Sequence, residues 1–319
     1  MSEIRKYADL MQRSFGIEGV MTFAWYTLNT HRVMLDKLGL RPPHLILCGP
    51  PGCGKTELAK ALASVDVPEG LSTRSAFHLL PNMSVEDLRK LINGAASFSV
   101  LEELKSSAPN DIIRQLKHIE QFSPLLLLTC IFPSAWQQLY NSYIVVEMPR
   151  RSFAQKDYQD LHMLKGAERL AYTLKGQLYK EPDGFREKFE QRKEQLLNCI
   201  REETTFDVDC FCGRLASYYA MIIAHWEAMS FDEERELEEL SEYAIVSIIN
   251  RLSIHEEQKK KKLIMQRTTD ESGKVTLTWF HPDDSRQRLI FDDEQMFQSF
   301  AYTLRMMVST QAESVEVCV

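Results

Sequence analysis

The strongest constraint on the fold comes from the segment Gly49-Pro50-Pro51-Gly52-Cys53-Gly54-Lys55-Thr56. It matches the pattern GxxxxGK[ST] and lies between a short apolar run, residues 44–48, and a stretch of good helix formers, residues 57–64. Glycines let backbone N–H groups turn toward an anion, and a helix N-terminus adds partial positive charge. The segment therefore predicts a strand, a phosphate-binding loop and a helix in succession.

The residues of this loop predict nucleotide chemistry. In such a loop the Lys55 ammonium reaches the β and γ phosphates of a nucleoside triphosphate, and the Thr56 hydroxyl ligates Mg²⁺. We therefore expect ATP and Mg²⁺ as cofactors, bound by Gly49 to Thr56 together with the following Glu57. The alternative is a glycine-rich turn that binds no ligand.

An acidic pair follows a second short apolar strand. Glu102 and Glu103 come directly after Val100-Leu101, and ligands of open α/β sheets bind where strands end. We predict that Glu102 belongs to the metal shell and that Glu103 directs the attacking water. The alternative is that the pair begins a solvated helix, and Glu147 is the next best carboxylate after a buried strand.

A third apolar run, Leu125 to Thr129, ends in the polar side chain of Thr129. We predict that Thr129 acts in catalysis as a sensor of the nucleotide state. An ordinary buried strand ending in threonine explains the residue nearly as well.

Buried strands at 44–48, 98–101, 125–131 and 143–146 alternate with helical segments, which predicts an α/β fold with a parallel, doubly wound sheet. Helices are predicted over residues 1–40, over 84–94, where Ser84 to Asp87 resembles a capping box, and, in the C-terminal half, over 184–201, 209–229 and 233–258. A hairpin around Asp270-Glu271-Ser272-Gly273-Lys274 and a helix at 292–307 resemble a winged-helix tail. The predicted divisions are an N-terminal helical segment (1–40), an ATPase core (41–151), a helical domain (152–258) and a tail (259–319).

Charge and hydropathy restrict the function further. The 319 residues carry a formal net charge of −7, which argues against a surface coated with positive charge for non-specific nucleic-acid binding. No run approaches the roughly 20 apolar residues of a membrane span, so we expect a soluble intracellular protein without a membrane partner. The seven cysteines show no CxxC spacing, which favours buried reduced thiols over zinc or disulfides.

The order of the loop, the segment VLEEL and the run PLLLLTCIFPSAWQQLYNSYIVVEMPRR resembles the AAA+ ATPases over residues 41–151. It is most similar to the superfamily 3 helicases and the helicase-like ATPases of mobile elements. The resemblance implies an ATP-hydrolysing protein that acts on DNA, forms a homo-oligomeric ring and couples the nucleotide state to a partner. Two departures matter: Thr129-Cys130-Ile131 stands where that group usually has an asparagine, and no arginine follows Leu139.

The departures leave three hypotheses for function. Fast ring-coupled hydrolysis needs an arginine from a neighbouring subunit, for which Arg114, Arg150 and Arg151 are substitutes by proximity only. The alternative is a nucleotide-dependent switch or assembly subunit with slow hydrolysis. A small-molecule kinase is the third hypothesis, against which the long helical C-terminal half argues. Lys259 to Lys262 either contact DNA phosphates or are solvated lysines at a helix end, where the backbone carbonyl dipoles favour positive charge.

Overall fold

The structure is a computed structural model of the whole chain. It describes residues 3–66, 77–93, 98–105, 107–117, 125–131, 139, 143–150, 182–206, 210–229, 234–261, 264–270, 272–280, 286–296 and 298–299. The chain divides into two compact units, Met1–Ile249 and Asn250–Val319. The divisions after residues 40, 151 and 258 stay predictions.

The described elements alternate between helix and strand in the first half of the chain and become mainly helical afterwards. The helices are α1 (Glu3–Asn29), α2 (Arg32–Lys37), α3 (Lys55–Asp66), α4 (Val85–Ile92), α5 (Asn110–Lys117), α6 (Pro182–Glu203), α7 (Cys210–Ala228) and α8 (Glu234–Lys261). The strands are β1 (His44–Cys48), β2 (Phe77–Leu79), β3 (Phe98–Leu104), β4 (Leu125–Cys130), β5 (Tyr143–Glu147), β6 (Ile264–Thr269), β7 (Val275–Phe280) and β8 (Arg286–Phe291).

Strands β1 to β5 form a parallel sheet in the order β2-β3-β4-β1-β5. Because β1 lies between β4 and β5, the loop that follows it leaves the sheet at an interior strand. Strand β4 in turn separates β1 from β3. The carboxyl ends of β1, β3 and β4 therefore meet at one edge, which is where open α/β sheets bind ligands.

Helix α1 supplies a large part of the core of the first unit. Its aromatic side chains Phe23, Trp25 and Tyr26 are buried, and Phe23 makes an edge-on contact with Trp226 of α7 at 6.2 Å between ring centroids. The Tyr7 hydroxyl donates a 2.7 Å hydrogen bond to the Ala61 carbonyl of α3. The helix thus packs against both the C-terminal helices and the helix that follows the loop, and Trp226 is a core residue.

The prediction of an α/β fold with a parallel core, N-terminal helices and a mainly helical C-terminal region is confirmed. The predicted N-cap of α4 is also present, since the Asp87 N–H donates to the Ser84 hydroxyl oxygen at 3.1 Å. The short β2 and α5 were not predicted. Strand β2, with three residues, is too short for a periodic pattern to be recognised.

The second unit contains a three-stranded antiparallel sheet in the order β6-β7-β8. The predicted hairpin is β6 and β7, and its turn is held by the Gly273 N–H, which donates to the Asp270 carbonyl at 3.0 Å. The third strand, β8, was not predicted. Of the predicted helix at 292–307, residues 294–296 and 298–299 are helical, and residues 300–307 lie outside the described part of the chain.

Among the described residues, no helix has both the length and the apolar composition that crossing a bilayer requires.

Candidate functional site

The glycine-rich loop is anchored to both strands that flank β1. The Gly49 N–H donates to the Cys130 carbonyl of β4 at 3.2 Å, and the Met148 N–H after β5 donates to the Cys48 carbonyl at 2.7 Å. The loop ends where α3 begins, and the Leu58 N–H donates to the Gly54 carbonyl at 2.8 Å. These bonds hold the loop at the centre of the sheet edge, between a strand end and a helix N-terminus.

Two positions of the loop require glycine for different structural reasons. A Cβ atom on Gly49 would lie 2.4 Å from the Met148 carbonyl oxygen, so no side chain fits at this position. Gly52 has φ +79°, and nothing lies within 4 Å of where its Cβ would be. A positive φ turns the backbone into a concave arrangement of N–H groups that suits an anion. The loop therefore fits a phosphate group.

The Lys55 ammonium is held inside the loop. Its Nζ atom donates to the Gly49 carbonyl at 2.6 Å and the Pro50 carbonyl at 2.9 Å, and it lies 3.5 Å from the Cys53 sulfur. Because an ammonium has three protons, these contacts use its full donor capacity. A phosphate bound by Lys55 must replace at least one of them.

The structure brings Thr56 and Glu102 together. The Thr56 hydroxyl, in the first turn of α3, donates a 2.8 Å hydrogen bond to Glu102 Oε1 on β3. Hydroxyl and carboxylate oxygens are ligands that Mg²⁺ accepts, usually with substrate phosphates and waters completing the coordination. This donor set fits a magnesium ion held between the two side chains and a triphosphate.

Glu103 and Thr129 also meet at this edge. The Glu103 N–H donates to the Thr129 hydroxyl oxygen at 3.1 Å, and Glu103 has φ +63°. The Glu103 carboxylate is 56% exposed and lies 4.0 Å from the Lys105 ammonium. Glu102 and Glu103 are thus part of β3, and the alternative that they begin a solvated helix is wrong.

The other predicted residues make contacts of their own or are exposed. Glu57 forms an ion pair with Lys60 at 2.9 Å along α3. Arg114 is exposed on α5 and lies 3.8 Å from Asp111 of the same helix. Arg150 is exposed after β5, and Arg151 lies outside the described residues. Lys259 to Lys261 form the last backbone turn of α8, and Lys262 lies outside the described residues.

Three buried cysteines surround the base of the loop: Cys48, Cys53 and Cys130. Cys48 and Cys130 are register partners on β1 and β4. The hydrogen bond with Cys48, reinforced by burial, raises the pKa of the Cys130 thiol. A neutral thiol at this position adds no negative charge against a bound phosphate, and all three cysteines are reduced, as expected.

Two contributors to the site were not predicted from the sequence. The Met148 carbonyl packs on Gly49, and the Tyr243 hydroxyl of α8 accepts a 3.2 Å hydrogen bond from the Glu147 N–H at the end of β5. Both act through backbone groups of strand ends that are distant in sequence. No local pattern marks such residues; the MPRR segment after β5 was the nearest signal.

Comparison with known proteins agrees with this geometry. Residues 45–119 match the model of the ATPase family associated with various cellular activities (AAA). A curated Arabidopsis thaliana protein, a probable inactive ATP-dependent zinc metalloprotease of the chloroplast, is 41% identical over 59 residues, which are 18% of this chain and 6% of that protein.

Among solved structures, the active helicase Cch of SCCmec type IV is similar, with a TM-score of 0.57 and 14% identity. The match covers 97% of this chain and 64% of the helicase chain. A DNA polymerase III gamma-subunit-related protein from Thermotoga maritima has a TM-score of 0.26 and 12% identity, over 73% of this chain and 99% of that one. The chain thus spans less than two thirds of the helicase and a small part of the metalloprotease.

The likeness to the helicase concerns the fold, and the family model concerns the sequence around the loop. Because that model spans the strand, the loop, the helix and the carboxylate pair just described, residues 45–119 are identified as an AAA ATPase domain of the P-loop class, as the motifs predicted.

Proposed function

We propose that this chain binds ATP with Mg²⁺ at Gly49 to Thr56 and hydrolyses it. The observation that carries the proposal is the Thr56–Glu102 hydrogen bond of 2.8 Å beside the loop. It joins two oxygen ligands suited to Mg²⁺ next to backbone amides suited to phosphate. In this proposal Lys55 binds the β and γ phosphates, and Glu103 directs the attacking water.

We propose further that hydrolysis serves an action on DNA, as in a helicase or a replication or loading factor of a mobile element or virus. The similarity of fold to a helicase over nearly the whole chain supports this, as do the sequence motifs. In the same proposal the protein works as a homo-oligomer, with a ring as the expected form, and couples its nucleotide state to DNA or to a protein partner.

A second function, that of a nucleotide-dependent switch, is supported by the hydrogen bonds that the site residues make within the protein. Lys55 donates to carbonyl groups of its own loop, and the Thr129 hydroxyl is bonded to the Glu103 backbone. Both residues thus have partners within the protein that a nucleotide must displace or share. A nucleotide-dependent switch with slow hydrolysis has this property, because its bound and unbound states differ in such contacts.

Turnover measurements separate the two functions. The wild type is compared with Lys55→Ala and Glu103→Gln, and with the exposed controls Lys90→Ala and Glu86→Gln on α4. A motor hydrolyses ATP, is stimulated by DNA, and loses turnover in both site variants but in neither control. Tight ATP binding without turnover supports the switch, and the absence of magnesium-dependent ATP binding contradicts both.

Oligomeric state is measured on the same proteins by light scattering, with and without ATP. Assembly on ATP addition that is lost in Lys55→Ala supports the oligomer. A monomer under both conditions contradicts it.

The lysines at 259–262 are the residues proposed to contact DNA phosphates. Replacing all four with serine should weaken DNA binding at low salt and reduce its salt dependence, because fewer counterions are released. Unchanged DNA affinity would favour the alternative that they are solvated lysines at the end of α8.

A further inference from the structure

Strand β3 contains an extra residue at the acidic pair. Its register with β4 runs from Phe98↔Leu125 to Leu101↔Leu128, and it resumes at Leu104↔Cys130. Three residue steps on β3 therefore face two on β4. This is a β-bulge, a feature that re-aims side chains and interrupts pairing.

The bulge changes the directions of the Glu102 and Glu103 side chains. In a regular strand successive side chains point to opposite faces, so one carboxylate of the pair would point away from the site. Here Glu103 has φ +63° and is the non-glycine residue with positive φ among those described. At Glu103 the regular alternation is broken: its carboxylate is exposed beside Lys105, whereas the carboxylate of Glu102 is bonded to Thr56.

A conformation of this kind needs support from its surroundings, because non-glycine residues rarely adopt it. The residues inserted at a bulge also lose ladder partners for their backbone groups. The Thr129 hydroxyl oxygen accepts the Glu103 N–H at 3.1 Å, and Thr129 is 4% exposed. Thr129 stands on β4, whose backbone is fixed by pairing with Leu47 of β1.

We propose that Thr129 is a positioning residue: its hydroxyl oxygen holds the Glu103 peptide in the left-handed conformation, which keeps the Glu102 carboxylate on the proposed metal ligand Thr56 and fixes the direction of the Glu103 carboxylate. The effect on ATP turnover rests on the proposed function, whereas the effect on the conformation of the Glu103 peptide does not. Direct recognition of the terminal phosphate by Thr129 is a different role, which the same variants distinguish.

The experiment compares Thr129→Val, which removes the hydroxyl at nearly constant shape, with Thr129→Ser, which restores it. Thr22→Val is the matched control, because Thr22 is a buried threonine on α1 whose hydroxyl donates to the Glu18 carbonyl at 2.6 Å. The readouts are kcat and KM for ATP, the dissociation constants of ATP and ADP, and hydrogen exchange of the Glu103 amide without nucleotide.

For Thr129→Val we expect kcat to fall about 100-fold, since a misplacement of about 1 Å has an effect of that size. The ATP and ADP dissociation constants should change by the same factor, within about twofold of each other, because in this role Thr129 makes no contact with the terminal phosphate. The Glu103 amide should exchange at least about tenfold faster, as its acceptor is lost. Thr129→Ser should restore all three, and Thr22→Val should change none.

Selective loss of ATP affinity over ADP affinity in Thr129→Val would overturn the proposal in favour of phosphate recognition. Unchanged exchange of the Glu103 amide would overturn it in any case. If Thr129→Val does not fold, Thr129→Ala and Thr129→Ser are compared instead. If the wild type binds no ATP, the proposed function fails, and amide exchange alone decides the role of Thr129.

Discussion

The hydroxyl of Thr56 and the carboxylate of Glu102 are joined by a 2.8 Å hydrogen bond across 46 positions of sequence. The bond connects the first turn of α3 to the bulge of β3. It orients the Glu102 carboxylate next to the residue that follows Lys55, so the two proposed Mg²⁺ ligands are already paired without a nucleotide. The Mg²⁺ dependence of ATP binding should therefore change when either Thr56 or Glu102 is replaced.

Glu102→Gln keeps an oxygen that accepts from Thr56 but removes the negative charge. We expect the Mg²⁺ concentration for half-maximal ATP binding to rise about 10- to 100-fold, the range found when a metal site loses an orienting or charged partner. Titration of Mg²⁺ against fluorescent ATP measures this. Glu86→Gln on the exposed face of α4 serves as the control. An unchanged Mg²⁺ midpoint in Glu102→Gln would remove Glu102 from the metal shell.

Gly49→Ala should destabilise the protein and weaken nucleotide binding, because the added Cβ would lie 2.4 Å from the Met148 carbonyl oxygen. Forcing extra volume into a packed site costs about 1 to 3 kcal/mol. Gly213→Ala on α7 is the contrasting variant, since nothing lies within 4 Å of its Cβ. There we expect a gain of about 0.5 to 1 kcal/mol from helix propensity. Urea denaturation measures both, and equal effects of the two variants would contradict the close approach at Gly49.

A largely buried ion pair joins the N-terminal helix to α8. Arg5 Nη1 and Nη2 donate to Glu236 Oε2 and Oε1 at 3.0 and 2.7 Å, and the Trp226 indole N–H donates to Oε2 at 3.4 Å. Glu236→Gln should lower the free energy of unfolding by about 3 kcal/mol, because it leaves the guanidinium without its buried counter-charge. The loss is placed at the lower end of the usual range since Arg5 also pairs with Asp9 at 2.8 Å.

The neighbouring exposed pair supplies the control for this variant. Arg235 and Glu239 lie 3.0 Å apart on α8, and Arg235 is 86% exposed. Arg235→Ala should change the free energy of unfolding by about 0.5 kcal/mol or less. If the two variants destabilised the protein equally, the buried pair would have no special role.

His225 should make stability depend on pH. It is buried, its Nε2 lies 2.9 Å from the Thr27 hydroxyl, and its ring centroid is 5.5 Å from that of His31. Burial, with the nearby His31, lowers the pKa of His225 well below 6.5. The unfolded chain therefore binds a proton that the folded one excludes. Stability is full above pH 6.5 and is lost as pH falls below it, by up to about 1.4 kcal/mol per pH unit.

Urea unfolding across this pH range tests the assignment. His225→Gln keeps an amide that can donate to Thr27 and removes the titration, so its free energy of unfolding should fall less steeply below pH 6.5. Parallel curves for the wild type and His225→Gln would mean that other groups carry the acid sensitivity.

Local pattern was sufficient for the elements that the site is built from. The loop before Lys55, the apolar run of β1 and the acidic pair that ends β3 were each predicted from residues next to one another in the chain. The N-cap at Ser84 was predicted for the same reason, since capping depends on residues three positions apart. These features depend on backbone chemistry and short-range spacing.

The two strands that were not predicted depend on pairing with another strand. Strand β2 has three residues and exists because it pairs with β3. Strand β8 begins with the polar residues Arg286, Gln287 and Arg288 and exists because it pairs with β7. Neither pairing leaves a periodic signal in its own short sequence, so tertiary context overrode local propensity.

The sequence by itself determined that a glycine-rich loop suited to phosphate lies between a buried strand and a helix, and that two carboxylates follow the apolar residues of another strand. Only the tertiary structure decided which partners these residues have, because the strand order places β4 between β1 and β3. That order brings Thr129 to the Glu103 backbone and the β3 bulge directs Glu102 to Thr56. A hydrogen bond between residues far apart in the chain depends on register and φ angles, which the packed sheet sets and a local pattern does not contain.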